Sequence, residues 1–298
     1  MRIAIVQTDP TLSSDTAVNR VRVWELLESK KLLNSSGGSI HSQDCVDAFI
    51  FPELSFSKYC FERKEDASMI AESANGPTFQ WAQKLATLTS AFVQVGLVLE
   101  EGNCLFNAVL LVGPDGTLRC TYRKHFLFDV DTIWAEEGPS FHSFAASDFG
   151  SAGPTQIGLG ICMDINPYNF EAPFDEMEFS NFHASHGSQF ILFSSAWCTD
   201  IGNPPNQEQT WSYWAMRLRA LRKSNCQYVY FICANRVGEE VRPQALGQRE
   251  GMPAPGSLTL FVGGSAVIRM PGKLSEDPPT LIDGMPHRNE DVLVVHLP

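Results

Sequence analysis

The 298-residue sequence has no uninterrupted apolar run that approaches the roughly 20 residues a bilayer-spanning helix needs. A signal-peptide pattern is missing too. The short apolar segment 2–7 is followed by Thr8-Asp9-Pro10 rather than by a longer apolar region and a small-residue cleavage site. We therefore expect no membrane partner, and we predict that residues 2–7 form a core strand.

Basic residues are few, since 22 Lys and Arg stand against 34 Asp and Glu and give a net charge of -12. A surface with this balance repels the phosphates of nucleic acids and of anionic lipid headgroups. Nucleic acid is therefore not expected as a partner, and a neutral or cationic substrate is favoured.

The eight cysteines include no C-x-x-C pair, which argues against a zinc ribbon and against thioredoxin-like chemistry. Most of these thiols lie in apolar stretches and are interpreted as small core residues. Free thiols are typical of a reducing compartment, so we expect a cytoplasmic protein that could also enter the nucleus. His183 and His186 are three residues apart but lack a third ligand, so we predict a solvated helix face there. No metal or cofactor is expected.

Short apolar runs alternate with helical patterns along the chain, which predicts an α/β fold with helix-covered sheets. The predicted strands are residues 2–7, 48–51, 92–99, 105–112, 156–162, 190–194, 228–234, 265–269 and 292–297. The predicted helices are residues 16–33, 78–90 and 207–224. No clear linker divides these segments, so a single domain over residues 1–298 is predicted.

Three reactive residue types stand at the ends of strand-like segments. Glu53 follows I-F-P, Lys124 follows the strand after the Gly113-Pro-Asp-Gly116 turn, and Cys162 ends Q-I-G-L-G-I-C. Because ligand sites in α/β sheets gather at the carboxyl ends of strands, these side chains are candidates for one site. Each also has a plain structural interpretation: a core cysteine, a glutamate capping a loop and a lysine solvating a strand end.

The three residue types suit nucleophilic catalysis. A carboxylate in a dry pocket has a raised pKa, so Glu53 could take the proton of the Cys162 thiol and return it to a leaving amine. An ammonium at Lys124 could bind a developing oxyanion.

The order of Glu53, Lys124 and Cys162, within F-P-E, Y-R-K and G-I-C-M-D, resembles the carbon-nitrogen hydrolase (nitrilase) superfamily. Further matching segments cover nearly the whole chain: M-R-I-A-I-V-Q, F-N-A-V-L-L-V-G-P-D-G, S-S-A-W, W-S-Y-W-A-M-R-L-R-A, G-G-S-A-V-I and D-V-L-V-V-H-L. The resemblance implies an αββα sandwich, with Cys162 as nucleophile, Glu53 as general base and then acid, and Lys124 as oxyanion stabiliser. The backbone N–H of Met163 is a second candidate for binding the oxyanion.

Many members of that superfamily carry a second glutamate between the lysine and the cysteine. The candidates here are Glu136 and Glu137 in W-A-E-E-G-P. Glu136 is preferred, because Glu137-Gly138 stands where relatives often have Pro-Gly. An exposed acidic turn is the alternative interpretation.

The run G-I-C-M-D-I-N-P-Y-N-F-E-A-P resembles a narrower branch, the fungal-type protein N-terminal asparagine amidohydrolases, as do F-P-E-L-S-F-S-K-Y and F-S-S-A-W. The resemblance implies that the enzyme converts N-terminal Asn, and also Gln, to Asp or Glu with release of ammonia. The reaction would pass through a cysteine thioester and would form a step in a protein-degradation signal, the N-degron pathway.

Such an enzyme must recognise the free α-ammonium of a polypeptide, which a carboxylate can do with a charge-assisted hydrogen bond. Asp164 is the first candidate because it lies two residues beyond Cys162, and Asn166 and Tyr168 are nearby polar contacts. Asp164 bracing its own loop through backbone N–H groups is an equal alternative.

Trp197 and Phe56 are candidates for the walls of the side-chain pocket, although aromatic residues at such positions also serve as core. The segments 201–207 and 242–256 are expected to shape the exit for the rest of the substrate chain.

Two other functions remain open from the sequence. A small-molecule amidase, such as an ω-amidase, or a nitrilase of the same superfamily would use the same three residues and a positive group for the substrate carboxylate. A catalytically silent scaffold would keep the fold alone. Both a monomer and a homodimer are compatible with the sequence.

Overall fold

The computed structural model describes residues 1–33, 45–149, 154–200, 206–247 and 254–298. The strands in these ranges are β1 (Arg2–Gln7), β2 (Ala48–Ile50), β3 (Phe92–Glu101), β4 (Cys104–Val112), β5 (Leu118–Arg123), β6 (His142–Ala146), β7 (Thr155–Ile161), β8 (Phe190–Ser195), β9 (Cys198–Asp200), β10 (Tyr228–Asn235), β11 (Val237–Val241), β12 (Leu258–Val262), β13 (Ala266–Pro271), β14 (Thr280–Gly284) and β15 (Asp291–His296). The α-helices are α1 (Thr16–Ser29), α2 (Lys64–Ser68), α3 (Pro77–Thr89), α4 (Glu178–Ser185) and α5 (Gln207–Arg217). Short 3₁₀ helices cover Pro10–Leu12, Asp131–Ile133, Cys162–Ile165, Tyr168–Phe170 and Arg219–Lys223.

Two six-stranded sheets carry the fold. The first has the order β15-β1-β2-β3-β4-β5 and the second β14-β13-β10-β8-β7-β6. The central strands β1, β2 and β3 are parallel, as are β7, β8 and β10, while the outer strands pair antiparallel. The strands of a smaller sheet, β11-β12-β9, lie between strands of the second sheet along the chain.

Alternate residues of β1 belong to two different cores. Ile3 and Ile5 lie in the core that joins the two sheets, whereas Ala4 and Val6 lie in the core shared with α1 and α3. The second sheet has the same arrangement, and its outer face packs against α4 and α5. The layers are therefore helix, sheet, sheet, helix, which confirms the expected αββα sandwich.

Two glycines in β7 allow α4 to pack closely against the strand. A Cβ at Gly158 would lie 2.5 Å from Nδ1 of His183, and a Cβ at Gly160 would lie 2.6 Å from the ring of Phe179. Both side chains belong to α4. The G-L-G run before Cys162 is therefore explained by helix packing.

The predicted strands agree with the structure to within two residues at each end. Two predicted helices end earlier than expected. α1 ends at Ser29 instead of residue 33, and α5 ends at Arg217, after which the 3₁₀ helix Arg219–Lys223 continues the chain. The sequence patterns missed β6, β9, β11, β12 and β14, which are short, and four of which lie at sheet edges. Of the expected exit segments, residues 201–205 and 248–253 lie outside the described residues.

No helix in the described ranges is long and apolar enough to cross a membrane. The same ranges contain no group of three or more His, Cys, Asp and Glu residues placed to hold a metal ion.

The solvated helix face predicted for His183 is wrong. Its ring is fully buried, with Nδ1 3.0 Å from the Ser188 hydroxyl oxygen, while His186 lies exposed and stacks on Phe182. Burial lowers the pKa of His183 to about 3, and the neighbouring His186 acts in the same direction. The folded protein therefore holds His183 neutral.

This burial predicts a pH-dependent stability. The unfolded chain protonates His183 near pH 6.5 and the folded chain does not, so the free energy of unfolding is expected to fall as the pH drops below 6.5. The contribution of His183 is about 1.4 kcal/mol per pH unit, or roughly 2 kcal/mol at pH 5. Urea unfolding of the wild type and of His183→Gln at neutral and mildly acidic pH measures it. Equal pH dependence in the two proteins would contradict the prediction.

Candidate active site

A buried polar cluster lies where the chain leaves β2 and β5, beside β4. The Lys124 ammonium donates to Oε1 of Glu53 and to Oδ2 of Asp131, in both cases at 2.6 Å. The Asn107 amide donates to the same Glu53 oxygen at 2.6 Å and to Oδ1 of Asp131 at 2.9 Å. All four side chains are buried, so the two ion pairs are shielded from water.

Within the described part of the chain, the bonding leaves one carboxylate oxygen of the cluster open, together with Oδ1 of the Asn107 amide. Oε1 of Glu53 accepts from both Lys124 and Asn107, but Oε2 is buried and has no hydrogen-bond partner among the described residues. Buried carboxylate oxygens normally have partners. Oε2 is thus the oxygen of this carboxylate that is available to a proton.

The electrostatics of the cluster suit a base held beside a cation. Burial raises the pKa of Glu53, the nearby Asp131 charge adds to the effect, and Lys124 opposes it. For Lys124, burial favours the neutral amine, but the Asp131 and Glu53 carboxylates outweigh burial and raise the pKa of the ammonium. Glu53 is therefore more basic than an exposed glutamate, and Lys124 remains a cation.

Asp131, rather than the predicted Glu136, is the second carboxylate on Lys124. It begins the 3₁₀ helix Asp131–Ile133, seven residues after the lysine, and also accepts the backbone N–H of Phe128 at 2.9 Å. The sequence signal was weak, because an acid at the start of a short turn is common on protein surfaces.

The prediction for Glu136 is therefore wrong in this structure, since its side chain is exposed and its Oε1 lies 3.7 Å from Nζ of Lys64. Glu137 is exposed as well and accepts a hydrogen bond from the Tyr168 hydroxyl at 2.9 Å. The alternative interpretation, an exposed acidic turn, describes both residues.

Cys162 stands at the end of β7, where the chain turns into the 3₁₀ helix Cys162–Ile165. Its backbone φ of +42° lies in the left-handed region, which costs a residue with a side chain about 1 to 3 kcal/mol. Strain of this kind is typical of functional positions that the surrounding fold holds in place. The residue is buried, at 8% exposure, and lies in the core between the two sheets.

The thiol of Cys162 is protonated at rest. Burial raises its pKa well above the usual range and the Glu53 charge adds to this, while Lys124, the Ser195 hydroxyl and the Ala196 N–H act in the opposite direction. A reaction at this sulfur therefore requires a base to remove the proton, and Glu53 is near enough to influence its ionisation.

Asp164 braces the loop after the cysteine and is not available to a ligand. One oxygen accepts the N–H groups of His125 and Phe126, and the other accepts the Tyr122 hydroxyl and the N–H of Ile161, at 2.7 to 3.1 Å. A carboxylate with four donors has no free position for an α-ammonium. The binding role predicted for Asp164 is therefore wrong, and the bracing alternative holds.

The polar residues after Asp164 lie on the same loop. Asn166 is buried and accepts the Tyr213 hydroxyl at 2.7 Å, which ties the loop to α5. The Met163 side chain belongs to the outer core beneath α4 and α5, so its predicted contribution rests on its backbone alone. Tyr168 is 39% exposed and packs on Phe126, with ring centroids 5.0 Å apart.

The two aromatic predictions have different outcomes. Trp197 packs against the core cluster that contains Cys162, so it stays a candidate pocket wall. Phe56 lies on the far side of the first sheet, 4.9 Å from the ring of Trp81, and its predicted role is wrong. Sequence reasoning missed Tyr59, whose hydroxyl oxygen lies 3.4 Å from Nζ of Lys124.

Comparison with known proteins adds a second line of observation. The family model described as "Carbon-nitrogen hydrolase" matches residues 2–296. A protein N-terminal amidase of Schizosaccharomyces pombe is 30% identical over 262 residues, which cover 80% of this chain and 86% of that protein. A protein N-terminal amidase of Saccharomyces cerevisiae is 27% identical over 213 residues, which cover 66% of this chain but 45% of that longer protein.

Solved structures show the same fold. A crystal structure of N-terminal amidase with an Asn-Glu-Ala peptide has a TM-score of 0.76 and 17% identity, and the match covers 100% of this chain and 97% of the other. A crystal structure of N-terminal amidase with a Gln-Val peptide also has a TM-score of 0.76 at 17% identity, with coverage of 99% and 96%.

Proposed function

Since the chain belongs to the carbon-nitrogen hydrolase family, we propose that it is a protein N-terminal amidase with Cys162 as its nucleophile. The proposed reaction hydrolyses the side-chain carboxamide of N-terminal Asn or Gln and releases ammonia. The similarity to two fungal enzymes of that name supports the proposal, as does the fold shared with N-terminal amidase structures that hold Asn and Gln peptides. The product is a polypeptide with N-terminal Asp or Glu, which fits a step in an N-degron pathway.

In the proposed acylation step, Oε2 of Glu53 takes the thiol proton while the Cys162 sulfur attacks the carboxamide carbon. The carbonyl oxygen becomes an oxyanion that faces the Lys124 ammonium and, as a second donor, the Met163 N–H. The carbon–nitrogen bond then breaks, Glu53 transfers its proton to the departing nitrogen, and ammonia leaves a thioester on Cys162.

In the proposed deacylation step, Glu53 removes a proton from water, and the resulting hydroxide attacks the thioester carbon. The carbon–sulfur bond breaks, the sulfur recovers a proton from Glu53, and the new carboxylic acid is released. Asp131 and Asn107 hold Glu53 and Lys124 in place through both steps.

The observation that carries the proposal is the open Oε2 of Glu53. A buried carboxylate that served only to neutralise Lys124 would use both oxygens, whereas this one keeps an oxygen without a partner among the described residues and is near enough to the neutral Cys162 thiol to influence its ionisation. The raised pKa of Glu53 brings its basicity closer to that needed at neutral pH.

The surroundings of the site suit a polypeptide substrate. Phe170 is 41% exposed, and its ring centroid lies 6.5 Å from that of Phe128, whose backbone N–H donates to Asp131. The exposed Phe170 ring and the partly buried Phe128 ring offer contacts to residues beyond the first one of a peptide, which a small free amide would not use.

A panel of four substrates tests the proposal: a peptide that begins with Asn, its Gln counterpart, the N-acetylated Asn peptide, and free asparagine. Conversion of amide to acid is followed by mass spectrometry. We expect turnover of both free-amine peptides, and kcat/KM at least about 100-fold lower for the blocked peptide, because it lacks the cation that the site must recognise.

Turnover of free asparagine alone would move the assignment to a small-molecule amidase. No turnover of any substrate, in protein shown to be folded, would favour the silent scaffold.

A further inference from the structure

Ser195 is a buried hydroxyl beside the nucleophile that the steps above do not use. The parallel strands β7 and β8 pair Ile161 with Ser194, so the residues that follow them, Cys162 in the 3₁₀ helix and Ser195 at the end of β8, are neighbours at the carboxyl ends of the two strands. The Ser195 hydroxyl is close enough to the Cys162 sulfur to favour its ionised form. Ser195 is fully buried, and its Oγ has no partner in hydrogen-bonding geometry among the described residues. A buried hydroxyl without a partner destabilises a fold, so its presence needs an explanation.

The preceding residue shows how a structural serine is bonded here. Ser194 is equally buried, but its Oγ donates to the carbonyl oxygen of Phe51 at 2.7 Å and accepts from the Gln94 amide at 2.9 Å. These bonds connect β8 with the segment after β2 and with β3, across the two sheets. Ser195 makes no such connection, although it has the same side chain and the same burial.

We infer that Ser195 is a catalytic residue whose hydroxyl donates a hydrogen bond to the Cys162 sulfur when that sulfur carries negative charge. The inference rests on the proposed role of Cys162 as the nucleophile. It is supported by the electrostatics of the site, because the Ser195 hydroxyl and the Ala196 N–H both favour the thiolate against the effects of burial and Glu53.

The hydrogen bond would form in the states that matter for rate. The sulfur is neutral at rest and becomes negative as it attacks the amide carbon and again as it leaves the thioester. A donor that finds its acceptor in those states lowers the barrier without improving the binding of the substrate. Removing it should therefore reduce kcat and leave KM nearly unchanged.

The first test follows the sulfur directly and needs no substrate. The rate at which chloroacetamide alkylates Cys162 is measured at several pH values, and mass spectrometry of the digested protein separates Cys162 from the other cysteines. The thiolate is the reacting species. Ser195→Ala is expected to slow alkylation of Cys162 about tenfold at each pH, equivalent to about one pKa unit.

Ser194→Ala is the matched control, because it removes the same atom from the next residue of the same strand. It should lower the melting temperature, since two hydrogen bonds are lost, and leave the alkylation rate of Cys162 unchanged. Ser195→Ala should keep or raise the melting temperature, because the hydroxyl it removes has no partner. Opposite responses of this kind distinguish a chemical role from a structural one.

Equal alkylation rates in Ser195→Ala and the wild type would overturn the inference, as would equal slowing in Ser194→Ala. On an Asn peptide, Ser195→Ala should reduce kcat about 10- to 100-fold, and a rise in KM alone would assign Ser195 to substrate binding instead. If the wild type turns over no peptide but the alkylation result holds, the proposed substrate fails and the Ser195 hydrogen bond stands.

Discussion

Cys162→Ser is expected to reduce turnover of an Asn peptide at least about 1,000-fold. A serine hydroxyl is a far weaker acid and a weaker nucleophile than a thiol, so a carboxylate base removes its proton much less readily. The exchange of sulfur for oxygen barely changes the volume of the side chain, so the fold and the binding of peptide should persist. Steady-state turnover, together with peptide binding by calorimetry, measures both expectations.

The covalent step has its own readout. Rapid acid quenching during turnover should reveal a thioester adduct on Cys162 in the wild type by intact-protein mass spectrometry, and no adduct in Cys162→Ser. Cys120→Ser makes the same chemical change at a partly buried cysteine of β5 and should retain wild-type turnover within about twofold. Substantial turnover by Cys162→Ser, or an adduct on another residue, would refute the assignment of the nucleophile.

Asp131→Asn is expected to have the second large effect, on stability and on activity together. The side-chain amide places an N–H group where Oδ2 now accepts from both the Lys124 ammonium and the Phe128 N–H. If the side-chain amide rotates by 180°, its N–H group faces the Asn107 donor instead. Breaking a buried ion pair in this way costs about 3 to 5 kcal/mol. Urea unfolding measures the loss of stability.

The same substitution should change catalysis in two respects. Lys124 is less well held and kcat falls, by roughly 10- to 100-fold, because misplacement of a catalytic group by about 1 Å has effects of this size. Loss of the Asp131 charge also removes one cause of the raised pKa of Glu53. Since Glu53 must be ionised to act as a base, the acidic limb of the pH–activity profile should move to lower pH in Asp131→Asn.

Glu136→Gln is the matched control for Asp131→Asn, because it neutralises the carboxylate that the sequence favoured. Its side chain is exposed and 3.7 Å from the Lys64 ammonium, so stability should change by less than about 0.5 kcal/mol and turnover should be unaffected. If Glu136→Gln were the more damaging of the two substitutions, the assignment of Asp131 would be wrong.

The residues that could be predicted were those at the ends of apolar strands. Glu53, Lys124 and Cys162 each stand at the end of a strand-like run, and the sheets bring the ends of such runs together. The strand and helix patterns predicted an α/β fold with helix-covered sheets, and the family resemblance carried by the motifs implied the αββα sandwich. The roles of the three residues remain predictions, supported by the ion pair between Glu53 and Lys124 and by the open Glu53 oxygen.

The partners of those residues could not be predicted, because they depend on how loops return to the site. Asp131 reaches Lys124 after a turn of seven residues, and nothing in F-D-V-D distinguishes it from a surface acid. Asp164 lies near Cys162 in the chain, but four donors from two stretches of chain, residues 122–126 and Ile161, occupy its oxygens. Phe56 comes soon after β2, the strand that leads to Glu53, yet its side chain packs on the opposite face of the first sheet, against Trp81.

The protonated state of Cys162 has a consequence for the durability of the protein. Peroxide oxidises thiolates much faster than thiols, and cysteine enzymes whose nucleophile is ionised at rest are readily inactivated. Here burial and Glu53 keep the sulfur protonated, and 8% of the residue is exposed. The nucleophile should therefore survive oxidative stress between turnovers and be sensitive to peroxide only in the short interval in which Glu53 has taken its proton and the sulfur is not bonded to substrate.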